Sequence, residues 1–242
     1  ERGAGIVTAM ITRLEPGPVP RATLVWKDWE EINGELNSAL SFFPSPLLLT
    51  RQEPFDLRQE TDRQLLKEIL AQVDRQQLLP QDVLDKNFVL LQSYLEGYPQ
   101  VAGLLEAGPK VLELQGDQVL QHQQLVGQEA AAVFLKDVRL LVPIPWAGSG
   151  LELGDCQGSD SPIPQHLAQV QQYLIGADLV LYVLSSRVGL RQADYKFLAD
   201  LKRLRLVENC VFVINLDLAE LESLAETERL LSRWRQELAF FQ

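Results

Sequence analysis

Short apolar runs alternating with helix-length segments through the last hundred residues restrict the fold more than anything else in the chain. Residues 151–155 form an apolar strand that ends in Asp155-Cys156-Gln157-Gly158, an Asp-x-x-Gly pattern. Residues 179–184, Leu-Val-Leu-Tyr-Val-Leu, make a second buried strand. Residues 210–214, Cys-Val-Phe-Val-Ile, make a third and end in Asn215-Leu216-Asp217. Helical spacing fills residues 166–175 and about 192–204, and a terminal helix is expected from about Leu218. Strands and helices alternating in this way call for an α/β fold with a mainly parallel sheet.

Upstream the texture differs. Residues 6–14 are apolar and β-branched and read as extended, Glu15-Pro16-Gly17-Pro18 reads as a turn, and residues 22–26 read as a strand. From Asp28 the pattern becomes helical. Leu36, Leu40 and Phe43 fall on one face, and Leu65, Leu66, Ile69, Leu70 and Val73 form a second stripe, with Thr61 or Asp62 as a cap. Val83, Leu84, Val89, Leu90, Leu91, Tyr94 and Leu95 form a third. Pro44-Ser45-Pro46, Pro80 and Gly97-Tyr98-Pro99 punctuate these stripes. Strands return at residues 138–144, which the Gly-rich turn Ala147-Gly148-Ser149-Gly150 should join to residues 151–155 as an antiparallel hairpin. The organisation expected is one domain: residues 1–27, a helical insertion over 28–137, and the remainder over 138–242.

Composition narrows the function classes. A net charge of −11 in 242 residues argues against nucleic-acid binding, which needs Lys and Arg on one face, and against a basic membrane-binding surface. Two separate cysteines, Cys156 and Cys210, suit a reducing compartment such as the cytoplasm. His122 and His166 have no partners at metal-ligand spacing. No apolar run reaches the roughly 18 residues of a membrane helix, and no secretory signal is visible. The chain opens at Glu1 and stops at Gln242 within an amphipathic pattern, so an internal piece of a longer polypeptide is expected.

The polar strand ends are the candidate chemistry. In open α/β sheets, ligands bind beyond the C-terminal ends of the strands. A carboxylate at Asp155 can hold Mg²⁺ through water beside a nucleotide's phosphates, and Gly158 lets its N–H approach a terminal phosphate. A carboxylate such as Asp217 can accept two N–H donors from a guanine edge. Taken singly, each pattern also fits a plain turn or helix cap; the order of all three is what points to a nucleotide.

That order, with Gly3-Ala4-Gly5-Ile6-Val7-Thr8 ahead of it, resembles a dynamin-family GTPase domain. The Gly-rich Ile-Val-Thr segment looks like the family's first switch, and residues 150–158 are similar to its second, Asp-x-Pro-Gly. Residues 177–183 and 194–198 match the texture between that switch and the guanine motif. The long insertion looks closer to bacterial dynamin-like proteins than to small GTPases. The resemblance implies a three-layer GTPase-like sheet with the insertion between its switches. It implies that Thr8 holds Mg²⁺ and the attacking water, that Asp155 is the second Mg²⁺ partner, and that Gly158 contacts the γ-phosphate. It implies that Asn215 and Asp217 read guanine, and that these residues gather along one edge of the sheet. It further implies GTP as substrate, a homodimer or a related GTPase domain as partner, membrane contact through regions outside the chain, and a cytoplasmic or peripheral membrane location.

Departures from the family pattern suggest an alternative. Gln157 stands where the family usually has Pro. Leu216 stands in the Lys place of the guanine motif, and Asp217 comes one residue early. No Gly-x-x-x-x-Gly-Lys-Ser/Thr phosphate loop occurs in the 242 residues. The second reading is therefore a degenerate, non-catalytic module that binds or regulates a partner GTPase. In either case the strand leading to a phosphate loop should sit between residues 151–155 and 179–184. Without it those strands should not pair, and residues 1–242 alone should not fold stably.

Overall fold

The computed structural model describes residues 10–43, 45, 48, 51–73, 82–108, 110–148, 150–156, 164–216 and 224–241. The described residues divide into two compact units, within 1–167 and 168–242.

The first unit is built on a five-stranded sheet in the order β3-β2-β4-β1-β5. Its strands are β1 (Thr12–Pro16), β2 (Arg21–Trp26), β3 (Val111–Gln115), β4 (Leu135–Val142) and β5 (Leu153–Asp155). β1 runs parallel to β4, and the β1–β5, β2–β3 and β2–β4 pairs are antiparallel. The expectation of a mainly parallel sheet is thus corrected here: antiparallel pairing dominates. The expected hairpin is also corrected, because β1 lies between β4 and β5 and pairs with both. The Gly-rich loop that looked like a tight turn spans an intervening strand. Pro16 ends β1 opposite Val142, where the ladder stops and a missing N–H leaves no gap.

The expected helical insertion contains α1 (Trp29–Leu40), α2 (Glu60–Ala71) and α3 (Asp82–Ala107). Asp28 caps α1: its carboxylate accepts the Glu31 N–H at 2.9 Å, and Glu31 accepts the Asp28 N–H at 3.0 Å. Ile32, Leu36, Ala39 and Leu40 form the buried face of α1, as the spacing requires. Two features differ from expectation. β3 lies inside the stretch taken as helical, because Val111 to Gln115 completes the edge of β2. α3 also runs through Gly97-Tyr98-Pro99 instead of breaking there. Tyr94 and Val101, fully buried on either side of Pro99, anchor both halves in one core. Gly97 is needed for close approach: a Cβ there would lie 1.6 Å from the Ala130 carbonyl oxygen on α5 (Glu129–Ala132). The short α4 (His122–Val126) precedes α5.

α1 and α2 are also joined by polar side chains. Asn37 accepts the Phe55 N–H and donates to the Phe55 and Asn33 carbonyls. Asn33 accepts the Leu57 N–H at 3.0 Å and donates to Asp56 at 3.0 Å. These bonds satisfy the backbone of the loop between the helices, which would otherwise be buried without partners. The Arg58 guanidinium, bonded to Asp56, holds that carboxyl down at about 2.

The second unit holds a two-stranded parallel sheet of β6 (Val180–Ser185) and β7 (Cys210–Asn215). Its helices are α6 (Pro164–Ile175, which begins before the unit boundary), α7 (Gln192–Arg203) and α8 (Leu224–Ala239). Here the predicted βαβ alternation holds, and the ends of β6, β7, α6 and α7 agree with expectation within a few residues, while the expected start of the last helix at Leu218 lies outside the described residues. Among the described residues, the strand paired with β5 is β1 and the strand paired with β6 is β7.

Candidate functional site

Asp155 is the last residue of β5, in antiparallel register with Thr12 of β1. Thr12 is buried and Asp155 is exposed, so the carboxylate stands at the strand end facing solvent. On the neighbouring strands, Arg13 donates from Nε to Asp137 Oδ1 at 3.0 Å, and Arg139 bonds the other oxygen of Asp137 at 3.1 Å. That ion-pair group ties β1 to β4. Cys156 follows Asp155 directly. Burial and the Asp155 charge push its thiol up to about 11. It stays protonated at neutral pH and is not a nucleophile there.

Asn215 is the last residue of β7, in register with Ser185 at the end of β6. Its carbonyl accepts the Ser186 N–H at 3.0 Å, which fixes the loop after β6. Its position is exposed, while the adjoining Leu216 is half-buried. Because β6 and β7 are parallel, Ser185 and Asn215 share the C-terminal edge where ligands of α/β folds bind. α7 supports that edge from beneath. Asp194 accepts the Arg191 N–H at 2.8 Å and the Tyr182 hydroxyl at 3.0 Å, joining β6 to the start of the helix. The Tyr182 ring stacks on Phe197 with centroids 6.0 Å apart. The sequence pattern signalled a helix start here but not that Asp194 holds the strand as well.

Of the residues expected to form the site, Asp155 belongs to the first unit and Asn215 to the second, each at a strand end as anticipated. Thr8, Gly158 and Asp217 lie outside the described residues, as does Gln157. Among the described residues, no group of three or more His, Cys, Asp or Glu could hold a metal on its own. No helix among the described residues is long and apolar enough to cross a membrane.

No family model and no curated protein matches the chain. Among the solved structures that resemble it in fold is an oligomerised bacterial dynamin pair, described as providing a mechanism for the long-range sensing and tethering of membranes. The TM-score is 0.51 at 16% identity, over 98% of this chain and 32% of that one. This chain thus spans about a third of the length of that protein, and at this identity the likeness is one of fold. The chain has a mixed α/β, dynamin-like fold.

Proposed function

We propose that residues 1–242 are the larger part of a GTP-binding and hydrolysing domain of a bacterial dynamin-like protein involved in membrane remodelling. The observation that carries this reading is the dynamin-like fold over nearly the whole chain, joined to the motif order that suggested it independently. Asp155 and Asn215 each end a strand, Asp155 in the five-stranded sheet and Asn215 in the two-stranded one, where that reading had expected one shared sheet edge.

In the proposed domain Asp155 would hold Mg²⁺ through water, and the Thr8 hydroxyl would hold the same ion and the attacking water. Bound Mg²⁺ would neutralise charge on the β- and γ-phosphates. Gly158 offers a backbone N–H to the γ-phosphate, and Asn215 and Asp217 hold the guanine edge. The phosphate loop comes from another part of the polypeptide. The domain pairs with a second copy or a related GTPase domain, and membrane contact belongs to regions outside residues 1–242. The protein works in the cytoplasm or peripherally at a membrane.

The test is Mg²⁺-dependent GTP hydrolysis by the full-length protein and its Asp155→Ala variant. Turnover in the parent, with a loss of at least about tenfold in the variant, supports the reading. Equal turnover in both removes Asp155 from the mechanism. Absence of turnover in a folded parent favours the second reading, a non-catalytic GTPase-like module that binds or regulates a partner. Leu216 favours that reading, since an apolar, half-buried side chain occupies the place of the guanine motif's Lys.

A further inference from the structure

Exposed apolar side chains scattered singly over a surface are ordinary. In the first unit the three most exposed are gathered at one end of the sheet. β1 and β4 finish there at Pro16 and Val142, which are in register. β2 begins there at Arg21, paired with Leu141 of β4 and with Gln115, the last residue of β3. Three connections leave or enter the sheet at this end: residues 17–20, the 3-10 turn Gly116–Gln121, and residues 143–152. They carry Val19, Leu120 and Trp146, which are 62%, 66% and 77% exposed, more than any other large apolar side chain described in the first unit. Asp155 lies at the other end, opposite Thr12 at the start of β1.

We infer that this end of the sheet is a lipid-insertion surface that seats its three loop tips in the interface of a bilayer of zwitterionic lipid. Charge selects that occupant. In a chain with 23% charged residues, neither Pro16-Gly-Pro-Val-Pro20 nor the ten residues from Val142 to Leu151 contain one. The charges nearest in sequence on the β2, β3 and β5 sides of the tips are Arg21, Asp117 and Glu152, one base and two acids. With a net charge of −11 besides, anionic headgroups are not attracted. The backbone suits lipid as well, where every N–H needs a partner. Pro16, Pro18, Pro20, Pro143 and Pro145 have no N–H to desolvate. The Gly17 N–H is bonded to the Val142 carbonyl at 2.9 Å, and the Ala147 N–H to the Ile144 carbonyl at 3.1 Å. Trp146 is the residue type that settles at the headgroup level, its ring in apolar surroundings and its N–H in water. Area argues against a protein in the same place. The three tips offer on the order of 400 Å², half of the roughly 800 Å² that each partner gives to a standard interface. With strands about 5 Å apart, they are spread across roughly 20 Å of sheet instead of forming one patch. This contact is separate from the one assigned to regions outside residues 1–242, and it does not depend on nucleotide.

The test uses the full-length protein with its native cysteines, Cys156 and Cys210 among them, changed to Ser. A nitrobenzoxadiazole dye, bright in apolar surroundings, is attached at Trp146→Cys or, for comparison, at Val111→Cys. Val111 is also apolar and exposed, but it begins β3 at the opposite end of the same sheet. With phosphatidylcholine vesicles, emission from residue 146 should rise at least about threefold and shift to the blue, and doxyl-labelled lipid should quench it. Emission from residue 111 should stay as it was. Adding Val19→Asp and Leu120→Asp should abolish the rise at residue 146. Because the dye reports one loop, membrane contacts elsewhere in the polypeptide do not produce this result. No rise at residue 146, an equal rise at residue 111, or a rise that survives both Asp substitutions would overturn the proposal. So would a blue shift at residue 146 that grows with protein concentration before vesicles are added, since a second copy would then cover the tips.

Discussion

The two units solve the same problem, burying one face of a sheet, and only one of them finishes. In the first, antiparallel pairing lets one face pack on α1, α2 and α3 while the other meets water, and its core runs without interruption from Met10 to Leu140. In the second, two parallel strands carry apolar residues on both faces, and the described helices of that unit pack against one. The difference shows that parallel strands need a second layer and that antiparallel strands can do without it.

The largest effect is expected in the finished core. Phe134 is fully buried, meets the Tyr94 ring edge-on at 5.1 Å, and its carbonyl accepts the Lys27 N–H at 2.8 Å. Phe134→Ala in the full-length protein should cost about 3–5 kcal/mol, read as a drop in the denaturant midpoint of a probe in the first unit. A loss under about 1 kcal/mol would mean that this core is not closed. Gly97→Ala comes next. The new methyl would meet the Ala130 carbonyl and the Phe134 ring, so α3 and α5 must part, at about 1–3 kcal/mol or more. A neutral outcome would place the two helices further apart than described.

Much of this was legible in the sequence. The buried faces of α1 and α2 and the strand–helix–strand order of the second unit follow from spacing alone, because helix and strand periods differ enough to be read locally. The pairing partners were not legible. β1 entering between β4 and β5 depends on contacts more than a hundred residues apart, and no local pattern encodes them. β3 was missed because five residues of an edge strand leave a weak signal inside a long helical stretch. Pro99 misled because tertiary packing outweighed its local cost. At the candidate site, the strand ends at Asp155 and Asn215 were legible. The Asp194 bond to Tyr182 was not, since Asp near a helix start reads only as a cap.

Smaller changes sharpen the contrast between the units. The Trp234 indole N–H is buried without a hydrogen-bond partner, a state that costs about 1–3 kcal/mol. Trp234→Phe removes that donor as well as volume, so the two effects oppose, and the net change should stay within about 1 kcal/mol. Calorimetric unfolding reads it, and a loss above about 3 kcal/mol would mean that the N–H is satisfied. The smallest effect is a titration. Cys156 is neutral when protonated, so burial and the Asp155 charge both disfavour its thiolate and raise its pKa. Alkylation of Cys156 should therefore rise toward half-maximum near pH 11, and Asp155→Asn should move that midpoint down. An unmoved midpoint would separate the two side chains.

Direct binding of nucleotide tests the central proposal without waiting for turnover. Calorimetric titration of the full-length protein with a non-hydrolysable GTP analogue, with and without Mg²⁺, should show saturable binding that requires Mg²⁺. Both Asp155→Ala and Asn215→Ala should weaken it by about tenfold or more. No saturable heat in the folded parent, or equal affinity in all three proteins, would contradict the account.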